Sequence, residues 1–196
     1  YATEGGFLDI CILISENVEQ KNPKGSDGNT PLHMAAQNGH LSICKYISNN
    51  VAENDPKTFK GLTPFHAAAQ KGHYKVCEWF LVIIVERIPK DNNGLTPFHY
   101  AAESGHLEVC ELMARYTNDK NPKGDHGWTE LHYAAKAGHL DICQLIICHI
   151  DDKNPKAEDG TTPLHAAKKE GHESVVRLLK SFDNSLRSAK RKRRYD

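Results

Sequence analysis

Apolar residues recur along this chain at helical spacing. Leu41, Ile43, Cys44 and Ile47 form an approximately helical stripe. The small pair Ala35-Ala36 precedes it, and Ala68-Ala69, Ala101-Ala102 and Ala134-Ala135 occupy matching places further on. Two helices per segment are predicted: a short one whose small residues let a neighbour approach closely, and a second that carries the stripe. The run from Trp79 to Val85 is more apolar than one helix face can bury, so part of it is expected as an exposed patch. Trp79 and Phe80 are expected on its core-facing side. The run is also far shorter than the roughly 20 residues that cross a bilayer, so no membrane span is predicted.

The segments repeat at a fixed step, and the step changes the reading of every motif. Gly28, Gly61, Gly94, Gly127 and Gly160 are 33 residues apart, as are Gly39, Gly72, Gly105, Gly138 and Gly171. Between them the text is nearly constant, from GNTPLHMAAQNGH and GLTPFHAAAQKGH through GLTPFHYAAESGH and GWTELHYAAKAGH to GTTPLHAAKKEGH. Asp27-Gly28, Asn93-Gly94 and Asp159-Gly160 suit a tight turn with positive φ, so each segment opens with a hairpin-like finger. Thr30, Thr63, Thr96 and Thr162 are placed to cap the short helix, with Pro31 and its counterparts in the first turn, where a missing N–H is harmless. Thr129 is followed by Glu130 instead, a carboxylate that suits the positive helix end. Gly39 and its series then end the short helix in left-handed geometry. No segment can bury its stripe alone, whereas stacking neighbours buries it.

These residues make the chain resemble the ankyrin-repeat family, whose signature is a T-P-L-H-x-A-A core followed by G-H and an apolar helix. The resemblance implies an all-α repeat fold, an ankyrin-repeat solenoid of stacked helix-turn-helix units with hairpin-like fingers. Full repeats are expected over 28–60, 61–93, 94–126 and 127–159, with a C-terminal capping repeat at 160–186, where Lys168 replaces the second alanine. Residues 1–27 align with the back half of a repeat, expected to fray, and 187–196 form a basic tail. The chain is expected to be a piece of a larger protein with more repeats upstream. One departure is systematic: Val18, Val51, Ile84, Thr117, Ile150 and Asp183 stand where many family members close the second helix with glycine. Asn17 and Asn50 are expected to supply a left-handed cap there.

Charge adds one asymmetry. The chain has 25 basic and 25 acidic residues, but six of the basic ones lie in 187–196, leaving 19 against 24 in the rest. The body therefore carries no general nucleic-acid signal. The tail, with Lys190, Arg191, Lys192, Arg193 and Arg194, has the density of a nuclear-localisation signal, of an anion-binding arm or of a solvated charge run.

His106 and Cys110 lie four apart, as do His40/Cys44, His73/Cys77 and His139/Cys143, and both residue types bind zinc. Stacked helices stand about 8–10 Å apart. Ligands from adjacent repeats are then too distant to share one ion, and the cysteines too distant for disulfides. Cysteine on the apolar stripe is read as a small core hydrophobe and no metal is expected. Only Cys148 lies off the ladder and is expected to be exposed. Six cysteines without a disulfide pattern point to an intracellular, reducing compartment, cytoplasmic or nuclear. The resemblance assigns His33, His66, His99, His132 and His165 to hydrogen bonds with threonine and nearby backbone. No catalytic motif is present, so neither an enzyme, a cofactor nor a small-molecule substrate is expected.

The resemblance implies a protein partner on the concave face built from finger tips and short helices. The variable positions on that side are Met34, Leu62, Leu95, Tyr100, Glu103, Trp128, Tyr133 and Lys136. Trp128, Tyr100 and Tyr133 form either a central binding cluster or packing between repeats. The expected function is a monomeric, non-enzymatic protein-interaction scaffold; the alternative is a regulatory or anchoring array of a larger enzyme or channel protein. The resemblance also implies possible hydroxylation of the finger asparagines Asn22, Asn121 and Asn154.

Overall fold

The structure, a computed structural model, describes residues 2–53, 55–84, 88–116 and 121–192, the last ten of these as backbone only. The chain divides into two compact units, Tyr1–Ala101 and Ala102–Asp196. The first holds α1 (Leu8–Glu16), α2 (Pro31–Gln37), α3 (Leu41–Asn49), α4 (Pro64–Gln70), α5 (Tyr74–Ile83) and the start of α6 (Pro97–Ser104). The second holds the end of α6, then α7 (Leu107–Tyr116), α8 (Glu130–Ala137), α9 (Leu140–His149), α10 (Pro163–Lys169) and α11 (Glu173–Lys192). Among the described residues no strand occurs.

In the first unit α2 packs on α3 and α4, and α3 on α5; in the second α8 packs on α9 and α10, and α9 on α7 and α11. Each longer helix contributes the same triad to the core. Ile43, Cys44 and Ile47 on α3 are buried, as are Val76, Cys77 and Phe80 on α5. The second unit repeats this with Ile142, Cys143 and Ile146 on α9 and Val175, Val176 and Leu179 on α11. Large-to-small changes at such positions cost about 2–5 kcal/mol, so these triads carry much of the fold's stability. Phe80 stacks on Phe65 with centroids 5.6 Å apart, which joins α5 to α4. Trp79 is half-buried against Phe80 rather than core-facing, and Val82 is exposed. The apolar run thus has an exposed edge, while Val85 lies outside the described residues.

α1 breaks the rule. Ile10 and Ile14 are 47% and 49% exposed, although their counterparts on α3, Ile43 and Ile47, are 1% and 5% exposed. One face of α1 therefore has no packed neighbour among the described residues, while the adjacent Cys11 is buried.

The fingers are closed by backbone hydrogen bonds. Gly25 N–H donates to the Asn29 carbonyl at 2.7 Å, Thr58 N–H to Leu62 at 2.9 Å, and Asp91 N–H to Leu95 at 2.9 Å. Gly28, Gly94 and Gly160 have positive φ of 84°, 77° and 79°, as the turn requires. Among the described non-glycine residues, only His126 has positive φ, at 51°. Asn17 and Asn50 are therefore not left-handed caps: their φ values are −107° and −116°. Their side-chain amides instead reach back one turn, donating to the carbonyls of Leu13 and Tyr46 at 2.7 and 2.8 Å. A side chain satisfies the helix end where a glycine would have done so through backbone geometry.

Candidate protein-interaction surface

The surface is built on a threonine–histidine box at the start of each short helix. The backbone N–H of Thr63 donates to His66 Nδ1 at 3.1 Å, and the threonine hydroxyl lies 2.9 Å from the same nitrogen. His66 Nε2 then donates to the Leu95 carbonyl of the next finger at 3.0 Å. A carbonyl only accepts, so the proton sits on Nε2 and the ring is neutral. His33 makes the same bridge to Leu62 at 2.9 Å, and His132 to Thr161 at 3.1 Å. Burial pushes His33 and His132 below the ordinary imidazole range, and His66 down to about 4. The Thr96–His99 pair has the same geometry, with Thr96 N–H donating to Nδ1 at 3.1 Å. His165 differs, because its ring is exposed and only its backbone N–H reaches Thr162 Oγ1, at 3.4 Å.

The G-H series has a separate structural duty. His73 Nε2 donates to the Gln37 carbonyl at 2.8 Å, His139 Nε2 to Glu103 at 3.1 Å, and His172 Nε2 to Lys136 at 2.9 Å. A Cβ on Gly39 would lie 2.6 Å from His73 Nδ1, and one on Gly138 2.6 Å from His172 Nδ1. Each glycine thus receives the imidazole of the following repeat. These rings are committed to backbone, and burial pushes the thiols of Cys44, Cys77 and Cys143 up to about 12. A thiol so far from its thiolate is a poor metal ligand. Among the described residues no three metal-ligating side chains converge.

The variable residues can now be placed unit by unit. In the first unit Met34 and Leu62 are half-buried. Leu95, expected on the same surface, is 9% exposed, so its side chain belongs to the packing and offers a partner little area. Tyr100 is held by its hydroxyl, which donates to Asp91 Oδ2 at 2.8 Å, while its ring meets His66 edge-on at 5.5 Å. Asp91 Oδ1 accepts from the N–H groups of Asn93 and Leu95, so the carboxylate locks the finger to the tyrosine. In the second unit Trp128 is half-buried, with Tyr133 edge-on at 5.3 Å and the Lys136 ammonium 5.8 Å from the indole centroid. Tyr133 and Lys136 share a face of α8 at i,i+3 spacing, and Trp128 stands just before its cap. Glu103 and Lys136 are exposed at equivalent places on α6 and α8.

The model of the family described as "Ankyrin repeats (3 copies)" matches residues 1–87, 80–157 and 131–193. The chain belongs to the ankyrin-repeat family. Ankyrin repeats generally mediate protein–protein interactions and are typically non-enzymatic. The all-α fold of this ankyrin-repeat protein agrees with its family. A comparison with curated proteins finds no match. Among the described residues no helix is long and apolar enough to cross a membrane. In the basic tail, Lys190, Arg191 and Lys192 end α11, while Arg193 and Arg194 lie outside the described residues.

Proposed function

We propose that this chain is a non-enzymatic protein-binding array, and that a partner is held in the second compact unit by Trp128, Tyr133 and Lys136, flanked by Glu103. The observation that carries this reading is the half-buried indole of Trp128, pre-oriented by a tyrosine edge and a lysine ammonium. Rigid aromatics of this kind dominate interface energetics because little side-chain freedom remains to be lost on binding. In the first unit Met34, Leu62 and Tyr100 offer the corresponding surface, with Tyr100 fixed by Asp91. The threonine–histidine boxes hold helix and finger together beneath these residues and touch a partner only through them. The proposed setting is intracellular, where unbridged cysteines persist.

The test is capture of partners by the tagged full chain and by a variant carrying Trp128→Ala, Tyr133→Ala and Lys136→Ala. A specific partner retained by the wild type and lost by the folded variant is expected. Equal retention by both would remove these three residues from the interface.

A further inference from the structure

A lysine recurs at one place at the base of every finger. Lys24, Lys57, Lys90, Lys123 and Lys156 follow one another at the 33-residue step, each directly after a proline. The three positions after them differ from finger to finger. The neighbouring proline and finger glycine have backbone reasons to recur, since one fixes φ and the other supplies positive φ. The lysines have none: all five are exposed. Among the described residues, Lys57 alone of the five is seen to use its ammonium within the protein, donating to the Lys90 carbonyl at 3.2 Å.

In the first compact unit, three of these lysines stand on fingers tied side by side. Phe59 N–H donates to the Asp27 carbonyl at 3.2 Å, and Asn92 N–H to Lys60 at 3.1 Å. The carboxylates on the same fingers are occupied by their own turns: Asp27 accepts from the Asn29 N–H at 2.9 Å, and Asp91 from two N–H groups and Tyr100. The second unit carries the same device, with Lys123 and Lys156 on fingers joined by the Glu158 N–H to the His126 carbonyl at 2.9 Å.

The spacing selects a partner. Stacked elements repeat at roughly 8–10 Å, and a peptide in the polyproline-II conformation advances about 3.1 Å per residue with about three residues per turn. Every third residue of such a chain therefore faces the same side and meets the next lysine. We infer that the finger-base lysines within each unit form a docking register for an extended acidic peptide carrying Asp or Glu at every third position. This deepens the protein-binding reading and rests on it, though not on the Trp128 cluster. A phosphate backbone carries a charge on every nucleotide and so has no third-residue register to match.

The experiment is fluorescence anisotropy of the full chain with a labelled peptide repeating Glu-Gly-Ser, set against a peptide of identical composition whose glutamates form one block. Exposed lysine–carboxylate pairs each contribute up to a few-fold, so three in register should give about tenfold tighter binding than the block. The preference should shrink as salt rises from about 50 to about 500 mM. It should vanish in a variant with Lys24→Gln, Lys57→Gln and Lys90→Gln that melts like the wild type. Equal binding of the two acidic peptides would overturn the inference, as would an unchanged preference in the variant. So would tighter binding of oligothymidylate, or equal binding of a Lys-Gly-Ser repeat, and those two arms need no variant. The Trp128/Tyr133/Lys136 alanine variant should bind the in-register peptide like the wild type. If the in-register peptide binds but that variant retains its captured partner, the aromatic reading alone fails; the reverse pattern removes the lysine register alone.

Discussion

His66 Nε2 donates to the carbonyl of Leu95, 29 residues further along the chain, at 3.0 Å. With Nδ1 accepting from Thr63, one neutral ring joins the start of α4 to the following finger. The bridge holds that finger against the short helix of the preceding repeat, and so positions the surface above it.

The bridge makes stability depend on pH. Burial lowers His66 in the fold to about 4, whereas the unfolded chain titrates near 6.5. Above about pH 6.5 the ring is neutral in both states and the fold keeps its full stability. Below that the unfolded state takes up the proton first, so stability falls steadily as pH drops towards about 4. His66 alone should remove about 1 kcal/mol by pH 5.5 and roughly 3 kcal/mol once pH passes its folded value. His33 and His132 act in the same direction. Urea denaturation at pH 7.5, 5.5 and 4.5 checks this, with equal midpoints as the contrary result.

Gly39→Ala and Gly171→Ala separate two costs. Both glycines have positive φ, 77° and 78°, which costs an alanine about 1–2 kcal/mol. At Gly39 the new Cβ would also press on the His73 ring at 2.6 Å, while at Gly171 nothing lies within 4 Å. The Gly39 variant should therefore be the less stable by chemical denaturation. Equal losses would show that the glycine–imidazole contact is unimportant.

Much of this was legible in the sequence, for one reason. A 33-residue step exposes the helix pair, the threonine caps and the buried cysteines together, because equivalent positions share equivalent surroundings. What it hid depends on contacts between repeats. Gly39 meets His73 across 34 residues, and no local pattern marks that approach. Asp91 reaches Tyr100 because the finger folds back over the short helix, which also buries Leu95. The cap at Asn17 and Asn50 differs from the expected left-handed one because asparagine has two ways to end a helix. Its amide can serve the carbonyls directly, and here it does.

Burial predicts unequal effects along the apolar stripe. Ile43→Ala should cost about 2–5 kcal/mol, since the side chain is enclosed. Ile10→Ala, at the equivalent place on α1, should cost less than about 1 kcal/mol, because half of that side chain is already in water. Denaturant midpoints of the two variants provide the comparison; matching losses would contradict it.

Thiol reactivity should divide the cysteines. Cys148 is exposed, whereas Cys11, Cys44, Cys77, Cys110 and Cys143 are buried. A thiol-specific chromogenic reagent should titrate one fast equivalent in the native protein and six in denaturant. Cys148→Ser should abolish the fast phase. A fast phase that survived this change would place another thiol at the surface.

The most direct measurement is the affinity of a captured partner for the wild type and for the variant carrying Trp128→Ala, Tyr133→Ala and Lys136→Ala, by calorimetry with melting temperatures taken alongside. Losing an aromatic cluster from the centre of an interface costs about 2 kcal/mol or more, which weakens binding at least about thirtyfold. That loss, with melting unchanged, is the expected result. An unchanged affinity in a folded variant would contradict the assignment of this surface to partner binding.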